Sequence, residues 1–331
     1  MEYRKLGKTD LELTVITFGA WAIGGWMWGG ADKDDAVKAI HRAIELGITS
    51  IDTAPAYGQG HSEEIVGEVI SNYKRDSLQI LTKYGLRWDT NKGQHFFDSV
   101  DNNGNPIDMR RLASKESVIA ECEASLKRLK TDYIDLYQIH WPDPTTPVSE
   151  TMEAIERLLE QGKIRAAGVC NYSAQELEEA EKTLKLASNQ VPYSMVNRDI
   201  ESDVVPYCLK NNLGILAYSP MQRGLLTGKM KPGMKFNEGD TRASSPYYRD
   251  ANIEKINNFL EKVKLIAANY DATLAQTVLN WTIQQPGITA ALAGARNPQQ
   301  VEDNVKAASF TISDEDISTI NGHLEELDLD L

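Results

Sequence analysis

Ile51-Asp52-Thr53-Ala54-Pro55-Ala56-Tyr57-Gly58 is the stretch on which the reading of this chain turns. It closes an apolar run, Thr49–Thr53, on an acid and then bends at a proline toward a phenol. Short apolar runs bounded by turn residues read as strands. Two more runs end the same way. Ile80-Leu81-Thr82-Lys83 ends on an amine, and Tyr133-Ile134-Asp135-Leu136-Tyr137-Gln138-Ile139-His140-Trp141-Pro142 ends on an imidazole.

Outward from these runs the pattern is strand then helix, repeated. A hairpin, Glu2–Leu6 with Leu11–Thr14, precedes a first core strand at Val15–Phe18. Ala36, Val37, Ile40, Ala43 and Ile44 then share one helical face that stops at Gly47. Thr49–Thr53 and Gln79–Thr82 are the second and third strands, separated by a helix over Ser62–Ile70. Val118, Ile119, Cys122, Leu126 and Leu129 mark the next helix, and Ile134–Ile139 the fourth strand. A helix carrying Met152, Ile155, Leu158 and Leu159 ends at Gly162. Ile164–Val169 is the fifth strand, followed by a Glu-rich helix over Ala174–Leu186. Val191–Val196, interrupted by Pro192, is a weaker sixth; Ile215–Tyr218 and Thr289–Ala293 are the seventh and eighth. Asn297-Pro298 opens a helix with a capping side chain followed by proline. A last helix covers Ser313–Leu327.

Eight strands alternating with helices is the count of a closed (β/α)8 TIM barrel, here as one domain over residues 1–331. An open nucleotide-binding sheet would want G-x-G-x-x-G after the first strand. Gly24, Gly25, Gly29 and Gly30 bracket Trp26-Met27-Trp28 and do not fit that spacing. Two connections, Gly85–Ala113 and Ser219–Asp250, are too long for turns. Both follow strands, so both belong at the mouth where barrels keep their chemistry, as binding walls or as mobile segments.

Composition narrows the function. The 331 residues are 41% hydrophobic and 25% charged, an ordinary globular balance. A net charge of -13 argues against nucleic acid or an anionic membrane as main partner, so an anionic ligand must meet local donors. Cys122, Cys170 and Cys208 are an odd set and read as reduced thiols of a cytoplasmic protein. Met1-Glu2-Tyr3-Arg4-Lys5 lacks the apolar run of a signal peptide, and no stretch has the length of a membrane span.

Each polar strand end has an ordinary reading: a solvated lysine, a capping aspartate, a loop tyrosine, a packed histidine. Together they make a proton-transfer centre. Lys83 beside Asp52 stays charged, and a cation beside the phenol of Tyr57 lowers its pKa toward neutrality. The imidazole of His140 can orient a substrate oxygen. A metal site is poorly supplied: of five histidines only His140 ends a strand, and no H-x-H or H-E-x-x-H occurs. A G-x-S-x-G nucleophile turn is absent too. After the eighth strand, Gly294-Ala295-Arg296-Asn297-Pro298 offers small residues, helix N–H groups and a forked cation. It reads either as a phosphate site or as an ordinary helix start with a surface arginine.

The motifs Gly19-Ala20-Trp21, Asp52 through Gly58, Thr82-Lys83, Leu126 through Leu136, His140-Trp141-Pro142, Gly162 through Arg165, Gly168 through Ser173, Arg223 through Lys229 and Gly294-Ala295-Arg296 occur in that order. In these the chain resembles the aldo-keto reductase superfamily over nearly its whole length. It is most similar to the bacterial branch that includes general-stress and inositol-operon reductases. The resemblance implies a catalytic tetrad of Asp52, Tyr57, Lys83 and His140, with Tyr57 as general acid. It implies NADP(H), with NADH as a weaker alternative, and no metal. Asn171 and Gln190 would hold the carboxamide, and Tyr218 would stack on the nicotinamide. Ala20, Trp21 and Asp52 would touch the ribose side. Ser219 through Leu225, including Gln222, Arg223 and Gly224, would cover the pyrophosphate near Lys229. Gly294, Ala295, Arg296, Gln300 and Asn304 would hold the 2′-phosphate end. Cys170 departs from the usual serine, Asp303 from a common glutamate, and Gln300 from the arginine of some branches. The expected substrate is a small aldehyde, ketone or sugar carbonyl, walled by Trp26, Trp28, Trp88 and Trp141; flat aromatic faces suit sugars as well as apolar aldehydes. Other readings are a cofactor-binding regulatory subunit with slow turnover and a metal-dependent barrel hydrolase. The oligomeric state is not legible.

Overall fold

A computed structural model describes residues 1–237 and 240–331. Eight parallel strands close into a barrel: β3 (Ile16–Gly19), β4 (Ser50–Asp52), β5 (Gln79–Tyr84), β9 (Ile134–Ile139), β10 (Ile164–Cys170), β11 (Ser188–Pro192), β12 (Gly214–Tyr218) and β13 (Ile288–Gly294). Chain order is barrel order, and β13 closes on β3 through the pairs Ala291–Ile16 and Gly294–Gly19.

The side-chain period of two explains what fills the barrel. Leu81, Leu136, Ala166, Leu216 and Ala290 pack in one buried cluster with Leu6, Leu11 and Leu13 of the N-terminal hairpin, β1 (Tyr3–Lys5) and β2 (Glu12–Thr14). The hairpin therefore plugs the bottom of the barrel with leucine. Two residues further along the same strands stand Lys83, Gln138 and Tyr218, one layer higher. Polar chemistry begins where the leucine layer stops.

Helices α1 (Lys33–Glu45), α2 (His61–Ile70), α3 (Lys115–Leu129), α4 (Val148–Glu160), α5 (Ala174–Glu181) and α6 (Val204–Asn211) wrap the outside. Between the seventh and eighth strands, where the alternation implied a helix but no stretch was assigned to it, lie α7 (Asp250–Ala268) and α8 (Leu274–Gln284). Ile253, Ile256, Phe259, Leu260 and Val263 give α7 its buried stripe, and a Thr273–Gln276 capping box starts α8. The expected cap holds at α9 (Pro298–Val305), where Asn297 accepts from the Gln300 N–H. α10 (Asp314–Glu325) ends the fold.

Two expectations need correction. The sixth strand runs over Ser188–Pro192, not Val191–Val196. Its run Ser188-Asn189-Gln190 is polar yet wholly buried, so hydropathy conceals it, and Pro192, lacking an N–H, ends the ladder. The Glu-rich helix stops at Glu181, because residues 182–187 carry the chain back to the barrel, where the Ala187 N–H bonds the Ala167 carbonyl. The connection Gly85–Ala113 folds into a three-stranded antiparallel sheet of β6 (Leu86–Arg87), β7 (Gln94–Val100) and β8 (Pro106–Arg111). Of the Ser219–Asp250 connection, residues 238 and 239 lie outside the described residues; elsewhere it holds short turns of 3-10 helix at Gln222–Thr227, Thr241–Ser244 and Pro246–Tyr248.

Candidate active site

Asp52, Lys83 and His140 come from three neighbouring strands, β4, β5 and β9, and meet at the C-terminal rim. The Lys83 ammonium donates to Asp52 Oδ1 at 2.6 Å and to the Thr53 carbonyl at 2.9 Å. Both partners are at least 97% buried. Such a pair persists only if its remaining valences are met. Gln190 Nε2 meets Asp52 Oδ2 at 2.8 Å, and Gln138 Nε2 approaches it at 3.4 Å. Gly168 makes room for this, since a Cβ there would lie 2.7 Å from Ser188 Oγ and 3.0 Å from Gln138 Cγ.

Tyr57 is carried by the turn between β4 and α2. Its ring lies 4.9 Å from the Lys83 ammonium, stacks on Trp21 at 6.1 Å and meets His140 edge-on at 5.6 Å. The tetrad named from the sequence is thus one cluster. One electrostatic expectation is corrected. Burial pushes the Tyr57 phenol up to about 12; the charge of Lys83 opposes this without overcoming it, and Asp52 adds to the rise. For Lys83, burial favours loss of the proton, but Asp52 and Tyr57 outweigh it and hold the ammonium above its usual value. Burial and then the Lys83 charge push His140 well below its usual value, so the imidazole is neutral.

The cluster opens on a cavity of about 620 Å³. Asp52, Tyr57, His140, Cys170, Asn171 and Gln190 line its inner end, and Gly294, Ala295, Arg296, Gln300 and Asn304 its other side. Tyr218, Ser219, Arg223, Gly224 and Lys229 lie between. Trp21 lines it as well. Ser219, Gln222 and Arg223 hold left-handed φ values of 54, 44 and 47°, strain that concentrates where a loop is aimed at a ligand. Asn171, also left-handed at 61°, donates to the His140 carbonyl (3.0 Å) and accepts from the Tyr218 hydroxyl (2.9 Å). Its amide therefore braces His140 from behind.

Some named residues stand off the cavity. Lys83 and Ala20 are buried behind its wall, and Leu225 is sealed in the core. Gln222 turns toward Ser194 Oγ at 3.2 Å, while its carbonyl takes the Tyr248 hydroxyl. Trp26, Trp28 and Trp141 are walls as expected, but Trp88 does not line the cavity: it packs, partly buried, against the cluster of Trp26, Ala56, Leu86 and Met109. Phe96 and Phe97, on β7, were not foreseen as lining residues. Gln138 was missed because a glutamine inside an apolar strand carries no motif.

Comparison with known proteins identifies the family of the chain. The profile of the aldo/keto reductase family matches residues 15–325. The aldo-keto reductase YhdN of Bacillus subtilis is 39% identical over 98% of this chain and 94% of its own. The NADH-specific methylglyoxal reductase of Escherichia coli is 35% identical over 98% of each. Among solved structures, the glycerol dehydrogenase AKR11B4 of Gluconobacter oxydans superposes with a TM-score of 0.88 at 36% identity, over 98% of this chain and 95% of the other.

Proposed function

The chain belongs to the aldo/keto reductase family of oxidoreductases, and we propose that it reduces an aldehyde, ketone or sugar carbonyl to the alcohol with NADPH. The observation that carries this reading is that Tyr57, Asp52 and His140, with Lys83 buried directly behind them, stand at the inner end of a cavity that extends to the start of α9.

The residues fit a nicotinamide dinucleotide. Ser219, Arg223 and Gly224 of the strained segment line the cavity, and Arg296 is an exposed forked cation at the start of α9. Asn171, Gln190 and Tyr218 would border the nicotinamide, while Arg223, Lys229, Gly294, Ala295, Gln300 and Asn304 would border the phosphates and adenosine. When bound, the nicotinamide supplies hydride.

The chain's own part is proton delivery and positioning. Neutral His140 donates to the carbonyl oxygen and fixes its direction. Tyr57, protonated at every physiological pH, gives its proton as negative charge grows on that oxygen. Lys83 stabilises the phenolate left behind, and Asp52 with Gln190 keeps the ammonium in place.

A specific observation favours NADH as a second reading. Asp303 lines the cavity on the side of Arg296, and a carboxylate there repels a 2′-phosphate and suits a ribose hydroxyl. The name of the E. coli relative points the same way for that protein. The reading is tested by following coenzyme oxidation with a panel of aldehydes, ketones and aldoses. Turnover of at least one carbonyl with NADPH or NADH is expected; none with either defeats the proposal.

A further inference from the structure

In a regular strand successive side chains alternate between faces, so neighbours never share one. Phe96 and Phe97 nevertheless both line the cavity. The cause is a β-bulge. Across β7 and β8, Gln94 pairs Arg111, His95 pairs Arg110, and then Phe97 pairs Met109, which leaves Phe96 as the extra residue. A bulge beside a site re-aims a side chain, and this one turns a second phenyl inward.

The wall it builds is fixed before any ligand arrives. Phe97 stacks on Trp26 at 6.2 Å and 13°. Phe96 rests on Trp141, the residue after His140, at 5.2 Å, with the Arg111 guanidinium 4.8 Å from its ring. Trp26 Nε1 is turned away, to the Val100 carbonyl (3.0 Å) and Ser99 Oγ (3.2 Å), and Asn102 ties the hairpin tip to the Gly24 carbonyl at 2.8 Å. Trp26, Phe96 and Phe97 thus offer carbon to the same cavity that the candidate proton donor lines. A polyhydroxylated substrate would lose water from its hydroxyls against this wall and find no partner on it. A planar apolar group gains by burial and ring contact.

We propose that this site takes aldehydes or ketones bearing an apolar, preferably aromatic, group in preference to sugars, and that Phe96, the bulge residue, is the side chain that sets this preference. The proposal rests on the carbonyl-reductase reading given above. Its test is kcat/KM for benzaldehyde and for glyceraldehyde, with the better coenzyme, in the wild type, Phe96→Ser and Phe96→Leu. The wild type is expected to prefer benzaldehyde. Phe96→Ser should lower the benzaldehyde-to-glyceraldehyde ratio about tenfold, mainly through KM for benzaldehyde, and Phe96→Leu should restore most of it. Intrinsic aldehyde reactivity cancels in the comparison between variants. A wild type that prefers glyceraldehyde overturns the proposal alone, as does a Phe96→Ser variant that slows both substrates equally. A wild type that reduces neither these nor any other carbonyl overturns the functional reading and the proposal with it.

Discussion

At the scale of single residues, buried charge and its partners decide behaviour. Lys83 with Asp52 is inexpensive because Thr53, Gln190 and Gln138 complete the pair. Glu121 on α3 is the contrasting case. It takes the Gly85 N–H at 3.0 Å and the Ser117 hydroxyl at 2.9 Å, but its nearest cation, Arg87, is 3.8 Å away. Burial pushes its carboxyl up to about 7, and these three partners only moderate the rise. The folded state therefore holds this proton more tightly than the unfolded chain does. Stability is fullest below the ordinary carboxylate value and falls as pH rises toward 7. Glu121→Gln should flatten urea-measured stability between pH 5 and 7, removing a slope of about 1.4 kcal/mol per pH unit at most. Parallel wild-type and variant curves would refute it. At this scale the tetrad was legible because chemical residues stand at strand ends. The height of the Tyr57 pKa was not, since burial leaves no mark in the local sequence.

At the scale of elements, close backbone approach matters as much as side chains. Gly24 lies against the turn that carries Tyr57: a Cβ there would sit 2.8 Å from the Tyr57 carbonyl oxygen and 3.2 Å from its Cβ. Gly24→Ala should displace the phenol and lower kcat/KM about tenfold or more. A variant that folds and turns over at the wild-type rate would show that Tyr57 tolerates the shift. Long periodic helices and apolar strands were readable. The sixth strand was not, because its buried residues Gln190 and Asn189, on opposite faces, bond Asp52 and the Tyr172 carbonyl instead of joining a greasy core. Nor was the sheet within Gly85–Ala113, whose bulge depends on pairing between residues distant in sequence.

At the scale of the whole molecule, eight repeated strand–helix units and the absence of a glycine fingerprint were enough to give the barrel. The leucine plug beneath and the cavity above follow from the same alternation along each strand. No helix among the described residues is long and apolar enough to cross a membrane. Because the cavity joins the tetrad to α9, coenzyme choice belongs to this scale. In fluorescence titrations Arg296→Ala should weaken NADPH about tenfold and NADH far less; equal weakening would remove Arg296 from the 2′-phosphate. The most direct measurement for the account as a whole is turnover of Tyr57→Phe. It should fall about a hundredfold or more, with NADPH affinity within about twofold of wild type. Near-normal turnover in that variant would contradict the assignment of Tyr57 as the proton donor.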